Sequence, residues 1–362
     1  MNKENYRDWL KLVSISGLGS GKIQRLLKIF QSPNKIFRST KFELSDLSFL
    51  SENVIKEIVE NSDNEFVENQ LQMLGKHNVR LISILDEEYP DLLKFIYAPP
   101  IFLYIKGKIL PNDNNAIAIV GTRKASNYGK LSTQKIASEI AKSGFTIISG
   151  LAYGIDGCAH NAALNVGGRT IAVFGTGLET VYPSSHRNLA ERIVQNGALI
   201  SEFPMGTKIE TWNFPTRNRI ISGMSKGTLV IEGGKKSGAL LTAKMALDQN
   251  REVFAIPGNI NSKNSEGPNY LIKLGAKIVT KASDILEEYQ VQMQVDTEKI
   301  TPKMNKNEEK IYKLLQQNEK NLNLDKMVEI SNFSPAQLSV MLFNMEMKGI
   351  VKRGAQNQYM LL

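Results

Sequence analysis

The hydrophobic positions of this chain change period twice. Over residues 1–75 they recur at helical spacing: Trp9-Leu-Lys-Leu-Val13, Gln24-Arg-Leu-Leu-Lys-Ile-Phe30 and Val54-Ile-Lys-Glu-Ile-Val59 each gather their apolar groups on one face. From Val79 onward short, nearly continuous apolar runs take over, alternating with amphipathic stretches. The pattern predicts strands at Val79–Leu85, Ala116–Val120, Thr146–Ser149, Thr170–Phe174, Ala198–Glu202, Gly227–Ile231, Glu252–Ile256 and Ala276–Val279. Ala98-Pro-Pro-Ile-Phe-Leu-Tyr-Ile-Lys-Gly107 leads into this series. Helices are predicted at 129–143, 156–166, 186–196, 239–249 and 268–274, with another opening at Arg217–Ser222. The helical period returns at about 307–317, 324–330 and 334–348, ahead of strand-like pieces at Ile350–Lys352 and Tyr359–Leu361.

Strands that are apolar on both faces belong to parallel sheets covered on both sides, and strict alternation with helices gives a doubly wound arrangement. The fold class expected is α/β, with a mostly parallel sheet between an N-terminal helical domain and a C-terminal winged-helix-like domain. The boundaries fall at residues 1–78 for the helical domain, 79–288 for the core, 289–305 for a polar Gln- and Lys-rich linker, and 306–362 for the last domain. In the first of these, Ser16-Gly-Leu-Gly-Ser-Gly21 resembles the glycine turn of a helix-hairpin-helix element. In the last, Ser334-Pro335 is a good helix start, an N-cap followed by Pro at the first helical position.

Charge narrows the partners. The chain carries a net +9, but residues 1–100 balance at −1 while residues 101–289 hold +8 and residues 301–362 hold +3. A basic excess confined to the core and the tail is the footprint of a polyanion partner. The lone Cys158 leaves no intrachain disulfide and no Cys-rich zinc module, which fits a reducing cytoplasm. No apolar run approaches the ~18 residues of a membrane span, so a soluble, cytoplasmic protein is expected.

In a doubly wound sheet, ligands bind where the turns after the strands converge. Every such turn here is glycine-rich or polar: Gly121-Thr-Arg123 with Ser126 and Gly129; Gly150-Leu-Ala-Tyr-Gly154-Ile-Asp156; Gly175-Thr-Gly177 with Tyr182-Pro183 and Arg187; Glu232-Gly-Gly-Lys-Lys-Ser-Gly238 with Thr242 and Lys244; and Pro257-Gly-Asn259. Glycines admit an anion close to the backbone, and the helix N-termini behind them favour negative charge. Five such turns with Arg123, Arg187, Arg217 and Lys244 interspersed point to a phosphate-bearing ligand. Neither the Walker A spacing nor a Gly-x-Gly-x-x-Gly fingerprint is present. His77, His160 and His186 are scattered, which gives no metal site, and His160 on an apolar helix face reads as structural. No catalytic constellation, cofactor or metal is expected. A segment of a different kind, Thr211-Trp-Asn-Phe-Pro-Thr-Arg-Asn-Arg-Ile-Ile221, reads as an aromatic turn followed by two arginines, which suits a partner with both base faces and phosphates.

Taken together, these motifs resemble the DprA (Smf) family of bacterial DNA-processing proteins. The residues that carry the resemblance are Ala118-Ile-Val-Gly-Thr-Arg123, Ser149-Gly-Leu-Ala-Tyr-Gly-Ile-Asp156 with Ala159-His160, Gly175-Thr-Gly177 with Tyr182-Pro183, Ser201-Glu-Phe-Pro204, Asn213 to Ile221, Ser237-Gly238 with Thr242-Ala243, and Val253-Phe-Ala-Ile-Pro-Gly258, spanning about residues 85–288. The resemblance implies an extended Rossmann-like core that binds single-stranded DNA without sequence preference. It further implies a head-to-tail homodimer and delivery of the strand to the recombinase RecA, past single-strand-binding protein, in natural transformation. By motif position Arg123, Arg217 and Arg219 are expected on phosphates, Gly150 and Gly154 as backbone donors, and Phe214 as the base-stacking residue. Gly121, Ser149, Asn218 and Ser237 complete the expected site, with Arg187, Lys208 and Lys244 as basic contributors. The region of helix 268–274 is where the family places self-association and RecA contact. The competing reading is enzymatic: the Glu232 turn echoes that of lysine-decarboxylase-like phosphoribohydrolases, which would make Glu232 a catalytic carboxylate. A nucleotide-sensing module without catalysis is a third.

Overall fold

Ile117 and Ile119 pack on one face of a central sheet and Ala118 and Val120 on the other, and both faces are closed to water. That two-sided burial is why the strands read as unbroken apolar runs. The structure is a computed structural model describing residues 6–60, 65–289, 304–317, 321–331, 333–348, 350–353 and 358–361. Most of the linker expected at 289–305 lies outside the described residues. By its internal contacts the chain divides into two units, Met1–Gln294 and Val295–Leu362.

The first unit holds nine strands: β1 Arg80–Ser83, β2 Phe102–Gly107, β3 Ala116–Val120, β4 Thr146–Ser149, β5 Thr170–Phe174, β6 Gly197–Ser201, β7 Gly227–Val230, β8 Glu252–Ala255 and β9 Lys277–Ile278. They lie in the order β1-β2-β6-β5-β4-β3-β7-β8-β9. The seven strands from β6 to β9 are parallel, while β1 and β2 add an antiparallel edge against β6. From β3 the chain winds outward through β4, β5 and β6, then returns to the other side of β3 with β7, Ala118 pairing with Thr228. This reversal is the topological switch point, the place where such sheets hold ligands.

Helices Asn127–Lys142 and Ile155–Asn165 cover one face, while Asn213–Gly223, Gly238–Asp248 and Glu266–Lys273 cover the other. The helices between Tyr6 and His77 share a core with Phe102, Tyr104, Phe174 and Leu199 of the sheet. Gln70 adds a polar tie to that core: its amide donates to the Met205 carbonyl at 2.9 Å and accepts from the Met205 N–H and the Tyr104 hydroxyl.

The predicted elements appear within a few residues of their expected ends, with one consequential difference. The stretch Thr211–Pro215 is not a separate aromatic turn, because the helix begins at Asn213, four residues before Arg217. Pro215 permits this, since a proline in the first helical turn forfeits no intrahelical hydrogen bond.

The second unit runs helix Lys306–Gln317, strand β10 Asn321–Asn323, helices Leu324–Ser331 and Pro335–Met347, then strands β11 Val351–Arg353 and β12 Gln358–Leu361. Its antiparallel sheet, ordered β10-β12-β11, and three helices make a winged helix. The Ser334 hydroxyl caps the last helix by accepting from the Gln337 N–H. β10, Asn-Leu-Asn, was not expected, because three residues with one apolar side chain carry no readable period.

Candidate nucleic-acid interface

Beyond the carboxyl ends of β3 and β7 the switch point opens a cavity of about 420 Å³. Gly121, Thr122 and Arg123 line it from the turn after β3, and Phe214, Arg217 and Asn218 from the helix that opens at Asn213. Ser237, Gly238 and Thr242 close it at the start of the helix after β7. Ala152 enters from the turn after β4 and Asp156 from the first turn of the helix that follows.

Two glycines let these turns meet. A Cβ on Gly121 would collide with the Ile155 side chain. Gly154 adopts φ +76°, and a Cβ there would run into the Thr122 carbonyl oxygen. Both therefore hold the Arg123 turn against the start of helix Ile155–Asn165. Glu232 fastens the other side. Buried, it accepts from the Ser126 N–H and hydroxyl and from the Asn264 amide, so both its oxygens are engaged, and it does not line the cavity. A carboxylate so engaged is a brace for two loops.

Under the cavity lies a buried polar core. The Arg217 guanidinium, 4 % exposed, donates to the carbonyls of Gly150 and Val173. The Gly150 N–H in turn donates to Asp156 at 3.1 Å. Burial pushes the Asp156 carboxyl up, and the nearby Arg217 cation draws it back. Burial likewise lowers the Arg217 guanidinium, to about 10, against the pull of Asp156, so it keeps its charge at neutral pH. The expected assignments change accordingly. Gly150 is not a free backbone donor, because its N–H is committed to Asp156. Ser149 is turned inward, its buried hydroxyl donating to the Ile119 carbonyl at 2.6 Å.

The two arginines of the helix also part company. Residues two apart on an α-helix project about 200° apart. Arg217 faces the cavity floor, whereas Arg219 turns away to pair with Glu202. As the stretch reads in sequence, both arginines stand together, and the helix separates them.

Arg123 is the exposed cation of the cavity. Its guanidinium carbon sits 5.6 Å from the centre of the Phe214 ring, and among the described residues its side chain has no hydrogen bond or ion pair. Phe214 also meets Tyr182, the rings 5.7 Å apart and tilted by 36°. Tyr182 belongs to the Tyr-Pro motif of its loop but was not expected at the site; only the fold reveals that this loop reaches the helix at Asn213. Arg187 lies beyond Tyr182 in an adjoining hollow, and Ser237 and Asn218 line the cavity itself. Lys244 and Lys208 are exposed but do not line it.

His160 is structural, as its helix face suggested. Thr170 uses its one hydroxyl proton on the Ile147 carbonyl, so the His160 Nδ1–H must be the donor in the 2.6 Å bond to Thr170. Burial foremost, then the charges of His186 and Arg217, lowers its pKa to about 3.

The fold and this crevice define an extended Rossmann-like protein whose switch point presents a cation and an aromatic face side by side. Residues 80–290 match the model of the family described as DNA recombination-mediator protein A. Protein Smf of Escherichia coli is 41% identical over 288 residues, which are 78% of this chain and 74% of that one. DNA processing protein DprA of Bacillus subtilis is 44% identical over 214 residues, 59% of this chain and 72% of that one. Among solved structures, DprA from Streptococcus pneumoniae aligns with a TM-score of 0.68 at 35% identity, covering 80% of this chain and 98% of its own. DNA processing protein A from Helicobacter pylori, described for its single-stranded DNA binding mode, aligns with a TM-score of 0.53 at 28% identity over 59% of this chain and 95% of its own. The chain belongs to the DNA recombination-mediator protein A family.

Proposed function

We propose that the switch-point crevice binds single-stranded DNA without sequence preference, and that the chain, as a homodimer, presents that strand to RecA in the presence of single-strand-binding protein during recombination and natural transformation. The observation that carries the reading is Arg123 poised over the Phe214 ring at the mouth of the cavity. A guanidinium takes a phosphate while an aromatic face takes any base, and such stacking is worth about 1–3 kcal/mol per base. Arg123 is the phosphate ligand and Phe214 the stacking residue. Asn218, Ser237 and the Gly121 turn line the pocket, and Lys244 and Lys208 add long-range charge. Arg217 contributes its field from beneath, while Arg219 stands outside.

The preference for single strands follows from the cavity. A base must leave its neighbours to reach Phe214, which an unpaired strand permits and a duplex resists at an unstacking cost of a few kcal/mol. The family relationship and the single-stranded DNA binding of the Helicobacter pylori protein support this reading. Glu232 is engaged as a brace between two loops, and the work proposed for the crevice is binding and transfer. No helix among the described residues is long and apolar enough to cross a membrane.

The test is fluorescence anisotropy of a labelled single-stranded oligonucleotide across a salt series, with unlabelled duplex as competitor. Affinity should fall steeply as salt rises, through counterion release, and duplex should fail to displace the strand. Equal preference for duplex, or no binding, would overturn the proposal. RecA filament growth on strands precoated with single-strand-binding protein then tests delivery.

A further inference from the structure

Two hollows meet at Phe214, and a third adjoins the second at Tyr182. The cavity at the switch point shares Arg123, Ala152, Phe214 and Arg217 with a small hollow between Phe214 and Tyr182. That hollow shares Tyr153, Tyr182 and Pro183 with a third, of about 440 Å³, which ends at Arg187. They lie in series along the carboxyl edge of the sheet, the two larger hollows separated by the constriction of about 20 Å³ between Phe214 and Tyr182, over which a strand would have to pass on the outer side.

The far hollow repeats the chemistry of the switch-point cavity. Tyr182 is 41 % exposed and Tyr153 48 %, a large share for rings packed against other aromatics, His186 lying 5.4 Å from Tyr153. At 5.7 Å the Phe214 and Tyr182 rings stand too close to admit a base between them, which would need about twice the 3.4 Å stacking distance. They make one apolar platform whose open faces can carry bases. Arg187 is exposed and, among the described residues, its side chain has no hydrogen bond or ion pair. Glu179 also borders the third hollow, its carboxylate accepting from the Gly206 N–H and the Thr180 hydroxyl, so a phosphate on Arg187 would lie in the field of both that cation and this carboxylate.

We infer that a bound strand continues past Phe214, laying further bases on Tyr182 and Tyr153 and a further phosphate on Arg187. The inference rests on single-strand binding at the switch point and extends it to a second subsite for nucleotides that the switch-point cavity does not reach. Aromatic platforms tolerate any base, so the subsite lengthens the footprint without adding sequence preference.

The test uses the full chain and labelled oligothymidylates from about 4 to about 16 nucleotides, the usual range of single-strand site sizes. Wild-type affinity should rise with length until the second subsite is filled. Tyr182→Ala should lose about five- to 150-fold on the long strands and little on the shortest, as expected for one stacked base. Tyr182→Phe should restore the long-strand affinity. Arg187→Gln, at an exposed side chain with no hydrogen bond or ion pair among the described residues, should lower the salt slope by about 0.7 on long strands only. If the variants bind every length as the wild type does, or lose equally at every length, the second subsite is wrong while the Phe214 site stands. If the wild type binds no length, both fall.

Discussion

Arg217 holds Gly150 from beneath: its Nη1 donates to the Gly150 carbonyl at 3.0 Å, and a Cβ at position 150 would lie 2.5 Å from Nη2. The two residues are 67 positions apart in sequence, yet each fixes what the other can be. Arg217→Ala would strand the buried Asp156 charge and two carbonyls, and removing one member of such a buried set costs about 3–5 kcal/mol. Gly150→Ala would press a methyl into the guanidinium at about 1–3 kcal/mol. Urea denaturation reads both. An Arg217→Ala protein within about 0.5 kcal/mol of wild type, the usual spread of neutral surface changes, would show that the guanidinium does not hold the floor of the cavity.

Arg123 should behave in the opposite way. It is exposed and, among the described residues, its side chain makes no hydrogen bond or ion pair, so Arg123→Ala should leave the unfolding free energy in urea within about 0.5 kcal/mol of wild type. Binding to single strands should weaken alike for all sequences, and the salt slope should fall by about 0.7, one phosphate's share for a single strand. Uneven losses across homopolymers would assign Arg123 to a base edge instead.

Phe214 separates stacking from packing. Phe214→Leu keeps an apolar side chain beside Gly175 and Tyr182 but removes the π-face. If bases stack there, Phe214→Leu should cost about 1–3 kcal/mol in single-strand affinity with little change in stability. Retention of full affinity in Phe214→Leu would mean that the ring serves only to support Tyr182.

The sheet was legible in the sequence because two-sided burial writes itself as continuous apolar runs, and Ala116–Val120, Thr146–Ser149 and Thr170–Phe174 match their observed bounds. The turns were legible as well, since Gly121 and Gly154 are required by close backbone approach. What the sequence could not convey is direction. Arg217 and Arg219 look equivalent as neighbours, and only a helix that begins at Asn213 sends one under the cavity and the other to Glu202. Gly150 looked like a free donor because nothing local marks its N–H as taken by Asp156, a partner whose side chain returns from the next helix. Tyr182 was in plain view as a residue but its meeting with Phe214 is a tertiary contact across 32 positions of chain, beyond any periodicity.

The buried imidazole of His160 gives the fold an acid limit. Its pKa, about 3, lies below the ordinary 6.5, so between those values the unfolded chain binds a proton that the folded chain does not. Stability from this group is complete above about pH 6.5 and is lost as pH falls, at up to about 1.4 kcal/mol per pH unit. Asp156 acts in the other direction: its raised pKa lets the folded state bind the extra proton, which softens the loss. A comparison of wild type with His160→Gln isolates the imidazole. Urea midpoints measured between about pH 7.5 and pH 5 should fall more steeply for the wild type. Parallel profiles would show that His160 is not the titrating group.

Trp212 offers a reporter of the occupied crevice. The chain has two tryptophans. Trp9 is buried among the N-terminal helices, whereas Trp212 is 65 % exposed between Thr211 and Asn213, next to residues that line the cavity. Trp212 caps the helix that carries Phe214 and follows the cavity-lining Thr211, and a base stacked on its indole would quench its emission. Titration with unlabelled oligothymidylate should therefore dim the intrinsic fluorescence and shift what remains. Trp212→Phe should abolish the change while anisotropy still reports binding. Quenching that survives in Trp212→Phe would have to come from Trp9, which would place the strand against the N-terminal helices and away from the switch point.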